Sequence, residues 1–268
     1  MSRLKFFAIN FILFCLSTSA LSDRVSSTKC HGPLNHLWDS VKLDYSSLYT
    51  KQNLKQLGYG YLIGGVLANT NADQSFADWY QDTVRNTGTD RFAKAFKVFG
   101  NRQEVIFATL GAIGMSYLLK GTETGTILSD YTNVYIRTLL LAGPQLLLSQ
   151  IILGGDRPSD TDGSRWRPFN ENHGVSGHAF LGAVPFIVAA KFTRQPLLKA
   201  LLYTSSAFTG FSRINDNKHY LSQVILGWWL AYLTVSTVYE DKNKERPTLS
   251  PFFCKDGGAG LMLSTQLS

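Results

Sequence analysis

The strongest constraint on this chain is a succession of five apolar segments of helical length: Val105 to Leu119, Val134 to Leu153, Val175 to Ala190, Leu197 to Phe211 and Tyr220 to Val238. None alternates apolar and polar residues as a half-buried strand does, and no Asn-Gly hairpin signal separates β-branched runs. The pattern predicts an all-α fold, a helical bundle. Pro144 and Pro185 fall inside two of these segments, where each removes a backbone donor and is expected to kink or locally weaken its helix.

Two settings accommodate such a bundle, a bilayer or a buried soluble core. The runs sit at the low edge of the roughly 17–25 residues that cross a bilayer. Arg137, Gln145, Gln150 and Lys199 interrupt them. Charge placement favours the membrane. If the helices span, the 120–133 connection, the Lys191-Phe192-Thr193-Arg194 connection and the C-terminal tail share one face. The last two carry Lys191, Arg194, Lys199, Lys242, Lys244 and Arg246, the distribution of a cytoplasmic side.

The N-terminus points to export. Arg3 and Lys5 precede an apolar run from Phe6 to Leu16, followed by Ser17-Thr18-Ser19-Ala20. That is the layout of a secretory signal cleaved after Ala20 or Ser22, with an uncleaved anchor as the alternative. Either one carries the remainder of the chain out of the cytoplasm: into the inner membrane with the face opposite the basic connections toward the periplasm, or into the periplasm as a soluble protein. The expected division is a signal peptide over 1–22, an exported helical region over 23–102, a helical core over 103–240 and a tail over 241–268. Tyr59 to Ala68 is the one short apolar stretch of the exported region, and Phe76 to Val98 has amphipathic helical patterning. Cys30 and Cys254 remain after cleavage and are open to pairing in an oxidising compartment. A net charge of +7 suits an anionic substrate or membrane surface, whereas the scattered cations form no stripe of the kind that tracks nucleic acid. No Cys/His spacing resembles a zinc site.

Three polar clusters stand where helix parity brings them to one face. They are Gly154-Gly155-Asp156-Arg157-Pro158, Gly174-Val175-Ser176-Gly177-His178, and Phe211-Ser212-Arg213 with His219 beyond it. Their chemistry converges on phosphate. Arg157 and Arg213 can each fork onto phosphate oxygens, while Ser176 and the Gly177 amide open a helix whose unpaired N–H groups favour an anion. Of two imidazoles, one can attack phosphorus and the other can protonate the departing oxygen.

Ser176-Gly177-His178, then Ser212-Arg213 and, five residues on, His219, with Arg157-Pro158 upstream, resemble the signature motifs of the type 2 phosphatidic acid phosphatase and vanadium haloperoxidase superfamily. The motif-bearing stretch runs from about Gln150 to Gln223. The resemblance implies a family helical bundle and a metal-independent phosphatase without a cofactor. It makes His219 the nucleophile that forms a phosphohistidine and His178 the general acid, with Arg157, Ser176, Gly177 and Arg213 holding the phosphoryl group. Lipid phosphates or isoprenoid diphosphates are the expected substrates in a membrane, and small phosphate esters in solution.

The chain departs from that family at two positions. Gln150 stands where the family has a lysine, seven residues before Arg157, and can donate an amide hydrogen but no charge. Gln223 stands where the family has an acidic residue four positions after the nucleophile. Sharing a helix face with His219, it can accept the ring N–H without stabilising an imidazolium by charge. Asp216 is a candidate replacement carboxylate, and a second Arg-Pro, Arg167-Pro168, competes with Arg157 for the phosphate site. These departures leave open a phosphate-binding protein without turnover; a vanadium-dependent haloperoxidase is a third reading, against which the missing lysine charge counts. Asn170, Asn172 and His173, in the loop before Ser176, are read as a polar loop, with lining of the site entrance as the alternative.

Overall fold

Every apolar segment is helical, but the helix boundaries do not follow hydrophobicity alone. The computed structural model of the chain describes residues 33–160, 163–244, 248–253 and 259–264. The helices are α1 (Pro33–Leu48), α2 (Lys51–Ala68), α3 (Ala72–Trp79), α4 (Thr87–Lys97), α5 (Arg102–Leu118), α6 (Glu123–Leu153), α7 (Gly177–Phe192), α8 (Pro196–Ser206), α9 (Phe208–Asn215) and α10 (Leu221–Lys244). A π-helical turn, Tyr80–Val84, continues α3, and a 3-10 turn, Val98–Gly100, continues α4. The signal segment, Cys30 and Cys254 lie outside the described residues.

The longest helix begins well before its apolar run. Thr122 accepts the Gly125 N–H at 3.0 Å and caps α6 far upstream of Val134. Both α6 and α7 remain helical through their internal prolines. The fourth apolar segment is broken instead at Ala207, into α8 and α9. At that break the Ser206 hydroxyl donates to Tyr203 O at 2.6 Å and accepts the Trp228 indole N–H at 2.7 Å, while Thr209 donates out of its helix to Phe96 O. One feature departs from an all-helical reading. In the tail, Thr248–Phe253 pairs antiparallel with Ala259–Ser264 as a two-stranded hairpin. Its short strands contain Pro251 and Gly260, so they carry little strand signal.

The main core forms where α6, α7 and α10 meet, with α1 and α2 closing one side. Phe180, Val184, Ile187 and Val188 of α7 interlock with Leu226, Leu230 and Leu233 of α10 and with Val134 and Leu141 of α6. Leu48 and Leu57 seal this core from the N-terminal helices. Among the described residues, two helical stretches, Glu123–Leu153 and Leu221–Lys242, are long and apolar enough to cross a bilayer. The outer faces of several helices are apolar as well: Ile106, Leu110, Ile113 and Tyr117 of α5, Tyr59, Leu62 and Val66 of α2, and Leu140, Leu148 and Ile152 of α6 are all exposed.

Arg137, the charge that interrupts the α6 run, does not face outward. Its Nε and Nη2 donate to both carboxylate oxygens of Asp44 on α1, at 2.9 and 2.7 Å. The two side chains are 1% and 0% exposed. A forked, fully buried pair of this kind contributes little over an apolar substitute, yet removing one partner leaves a bare charge and costs about 3–5 kcal/mol. We therefore expect Asp44→Ala to lower the thermal unfolding midpoint severely. Joint replacement of Asp44 by Leu and Arg137 by Met should recover most of it. Equal losses in the single and double variants would show that the charge is not what matters.

Candidate active site

The site is built at one end of the bundle, where α6 and α9 end and α7 and α10 begin. The turn leaving α6 needs glycine twice. Gly154 and Gly155 have φ of +63° and +106°, backbone that other residues rarely adopt, and any β-carbon on Gly154 would run into Arg167 O. Gly155 N–H donates to Asn170 O at 3.1 Å, which folds the 156–170 loop back on the turn and sets Asp156 and Arg157 in place.

The two Arg-Pro arginines have different surroundings. Arg167 is half-exposed, and its Nη1 pairs with Asp156 Oδ2 at 2.8 Å. The Nε–H of Arg157, by contrast, is buried without an acceptor, as is that of Arg213. Buried unpaired donors are rare in native structures, and two on guanidiniums at the same end of a bundle suit an oxyanion. Both arginines lie within electrostatic reach of both His178 and His219. Arg213 also holds Asp216 Oδ2 through Nη1 at 3.3 Å, and Lys97 Nζ approaches the same oxygen at 3.4 Å. Asp216 is therefore engaged by two cations and is not the carboxylate behind His219.

Ser176 is the N-cap of α7 and is fully buried, its Oγ accepting the Ala179 N–H at 3.3 Å. That leaves its own O–H and the N–H groups of Gly177 and His178 to meet an anion. Gln150 sits beside Gly177, and its Nε2 donates to Val175 O at 2.9 Å. This amide braces the chain entering α7 and brings no charge to the site. His178 is held from behind. A β-carbon on Gly100 would lie 2.8 Å from His178 O and 3.1 Å from His178 Cβ, so the 3-10 turn before α5 can approach His178 only because it ends in glycine.

The surroundings of His219 fix its tautomer. Its Nδ1 lies 2.7 Å from Gln223 Oε1. The amide cannot be reversed, because Gln223 Nε2 donates to Asp156 O at 2.8 Å while Oε1 also accepts the Tyr220 N–H at 3.2 Å. An oxygen facing the ring requires Nδ1 to carry the hydrogen, which leaves the Nε2 lone pair free. Burial pulls the His219 pKa down to about 3, with Arg213, His173 and Arg157 adding to that and the Gln223 hydrogen bond opposing it. The ring is thus neutral at physiological pH. His173, read from sequence as part of a polar loop, stands edge-on to His219 with ring centroids 6.3 Å apart. Its burial likewise pushes its pKa down. No spacing rule marks His173, because the loop that delivers it is shaped by left-handed Phe169 and Glu171.

Sequence comparison places the chain in a family. The profile of the PAP2 superfamily matches residues 107–247. The solved structure of a transmembrane PAP2-type phosphatidylglycerolphosphate phosphatase from Bacillus subtilis is similar at 15% identity, covering 79% of this chain and 96% of that one with a TM-score of 0.48. A comparison with curated protein sequences finds no significant match.

The Gln223 geometry has a counterintuitive consequence. Replacing the amide by the carboxylate of Gln223→Glu sets an anionic oxygen against the Asp156 carbonyl, a repulsion in place of a hydrogen bond. Turnover is expected to fall about ten-fold near pH 8, a barrier increase of about 1.4 kcal/mol. It should recover relative to wild type as the pH falls, since a protonated Glu regains a donor for Asp156 O. Gln223→Leu, with neither donor nor acceptor, should lose activity at every pH. A Gln223→Glu enzyme faster than wild type at pH 8 would contradict this reading.

Proposed function

The chain belongs to the PAP2 superfamily, and from that premise we propose that it hydrolyses phosphate esters through a phosphohistidine on His219. The observation that carries the proposal is the Gln223 Oε1 to His219 Nδ1 contact. It frees Nε2 as a neutral nucleophile next to two buried guanidinium donors. In the first step the Nε2 lone pair forms a bond to phosphorus while the bond from phosphorus to the ester oxygen breaks. The departing alkoxide takes a proton from His178, which enters this step as imidazolium beside the bound phosphate dianion and leaves it neutral. In the second step His178 takes a proton from water, the resulting hydroxide bonds to phosphorus, and the P–N bond breaks to regenerate neutral His219. Arg157, Arg213, the Ser176 hydroxyl and the amides opening α7 hold the charge that builds on the phosphoryl oxygens.

The setting proposed is a membrane, with the site outside the cytoplasm and a lipid phosphate or isoprenoid diphosphate as substrate. Support comes from the two stretches of spanning length, the apolar outer faces of α2, α5 and α6, and the buried neutralisation of Arg137. Lys191, at the last turn of α7, and Lys242, near the end of α10 and 2.6 Å from Asp130, lie at the helix ends away from the site, as a cytoplasmic face requires. Export by the N-terminal signal completes the proposal. Nothing in the geometry favours the haloperoxidase reading, because Gln150 gives its amide to the Val175 carbonyl.

His219→Ala should abolish both turnover and labelling of the protein by a radioactive phosphate ester, and hydrolysis at the wild-type rate would reject the assignment. Chelation tests the metal-independent chemistry: activity should survive EDTA, whereas loss on chelation with recovery on adding a divalent ion would contradict it. The depressed His219 pKa also carries a sign. An unperturbed histidine would lose its nucleophilic form as pH fell through about 6.5, whereas His219 keeps it down to about 3. Phosphohistidine labelling should therefore persist well below the ordinary histidine range. A loss of labelling centred near pH 6.5 would show that His219 is not desolvated as described.

A further inference from the structure

The loop that carries His219 is short, and most of the side-chain ties that hold it run to a part of the chain that the family profile does not reach. Between Arg213 at the end of α9 and Leu221 at the start of α10 the backbone turns through left-handed Asn217. Its own backbone bonds, Asn217 N–H to Ile214 O at 3.0 Å and the Lys218 and His219 N–H groups to Arg213 O at 2.9 and 3.3 Å, close the turn. They do not fix where its two ends sit against the rest of the chain, and nucleophilic attack demands a ring placed to within a fraction of an ångström.

The ties come from α3, the π turn and α4. At the far end of the loop, Asp73 Oδ1 accepts the Ser222 N–H at 2.9 Å, so an acid from another helix caps α10. Gln74 Oε1 accepts the Tyr220 O–H at 2.8 Å. At the near end, Gln81 Nε2 donates to Ile214 O at 2.8 Å, and Asp90 Oδ1 accepts from Asn215 Nδ2 at 2.8 Å. Lys97 reaches Asp216, and Phe96 O takes the Thr209 hydroxyl. Beneath these bonds lies a second apolar cluster, separate from the main core, in which Phe76, Tyr80 and Val84 pack on Ile214, Leu221, Val224 and Ala179. Asp73, Ser222 and Asn215 are all buried.

We propose that residues 72–97 form a clamp that sets the position of the His219 ring, with Asp73 and Gln74 as positioning residues at the α10 end of the loop. The inference rests on His219 being the nucleophile. The clamp touches neither substrate nor reacting atoms. It holds both ends of the loop, so that Gln223 has a ring in register to orient. Loosening it at the α10 end, through Asp73 or Gln74, changes where Nε2 sits and leaves the oxyanion donors, Arg157, Arg213 and the α7 N-terminus, in place.

That separation can be measured on the whole purified chain with p-nitrophenyl phosphate as substrate and two oxyanion inhibitors. Orthovanadate closes a bond to the nucleophilic nitrogen, whereas sulfate only occupies the donors around it. Removing the cap with Asp73→Ala should lower kcat about ten-fold and leave KM within about two-fold, the signature of an interaction realised in the transition state. Vanadate inhibition should weaken by about the same factor as kcat, with sulfate inhibition unchanged. Asp73→Asn keeps an acceptor oxygen for Ser222 and should restore most of the loss. Tyr220→Phe removes only the hydroxyl that Gln74 holds, so it tests the same idea with a milder change if Asp73→Ala fails to fold. An unchanged kcat in Asp73→Ala or Tyr220→Phe, or a parallel weakening of vanadate and sulfate, would overturn the clamp. His219→Ala separates the two readings. If it hydrolyses at the wild-type rate, the nucleophile assignment fails, whereas an inactive His219→Ala beside a fully active Asp73→Ala refutes the clamp alone.

Discussion

One residue joins the three polar clusters. Gln223 holds His219 through Oε1, takes the carbonyl of Asp156 through Nε2, and through its own backbone carbonyl accepts the Ser176 N–H at 2.9 Å. The loop after α6, the start of α7 and the loop before α10 are thereby fixed to a single residue. The third contact is made by the main chain whatever the side chain, and of the other two a carboxylate could serve the first but not the second. The amide is therefore more than a weakened acid. It is the group that can accept from a ring and donate to a carbonyl at once, and the electrostatic help it lacks is offset in part because His219 stays neutral until it attacks.

Much of this was legible in the sequence, for physical reasons that also mark where legibility ends. Apolar runs of helical length show themselves in any register, so α5, α6, α7 and α10 could be read directly. The polar first turns of α6 could not, because the face they bury is set by neighbours. Nor could the break at Ala207, which lies inside a uniformly apolar run and depends on where the Ser206 and Thr209 hydroxyls find partners. The i to i+4 relation of His219 and Gln223 follows from helix geometry. That the far side of Gln223 meets a backbone carbonyl does not, since every residue has one. Asp73, Gln74, Gln81 and Asp90 gave no signal at all. They are ordinary polar residues whose partners stand far away along the chain, and nothing in their own neighbourhood announces the contact.

The same asymmetry separates two acids near the His219 loop. Asp216 is close in sequence to His219 and would be guessed as its partner, yet it is taken by Arg213 and Lys97. Asp73 is remote, and it caps the helix that His219 precedes. Proximity along the chain is thus a poor guide to which carboxylate acts on a loop that turns sharply, whereas an unpaired helix N-terminus is a definite demand that some acceptor must meet.

The forked pair between Arg137 and Asp44 bears on how such a molecule is assembled. The acid belongs to the first described helix and the base lies 93 residues later, in the middle of the longest. When α6 leaves the ribosome its guanidinium has no counter-charge on its own helix close enough to fork onto, and α1, made earlier, supplies one. The order of synthesis therefore has the carboxylate waiting. A chain shortened to its matched region would emerge with that cation exposed to whatever surrounds it, and would lack the first helix against which α6 settles.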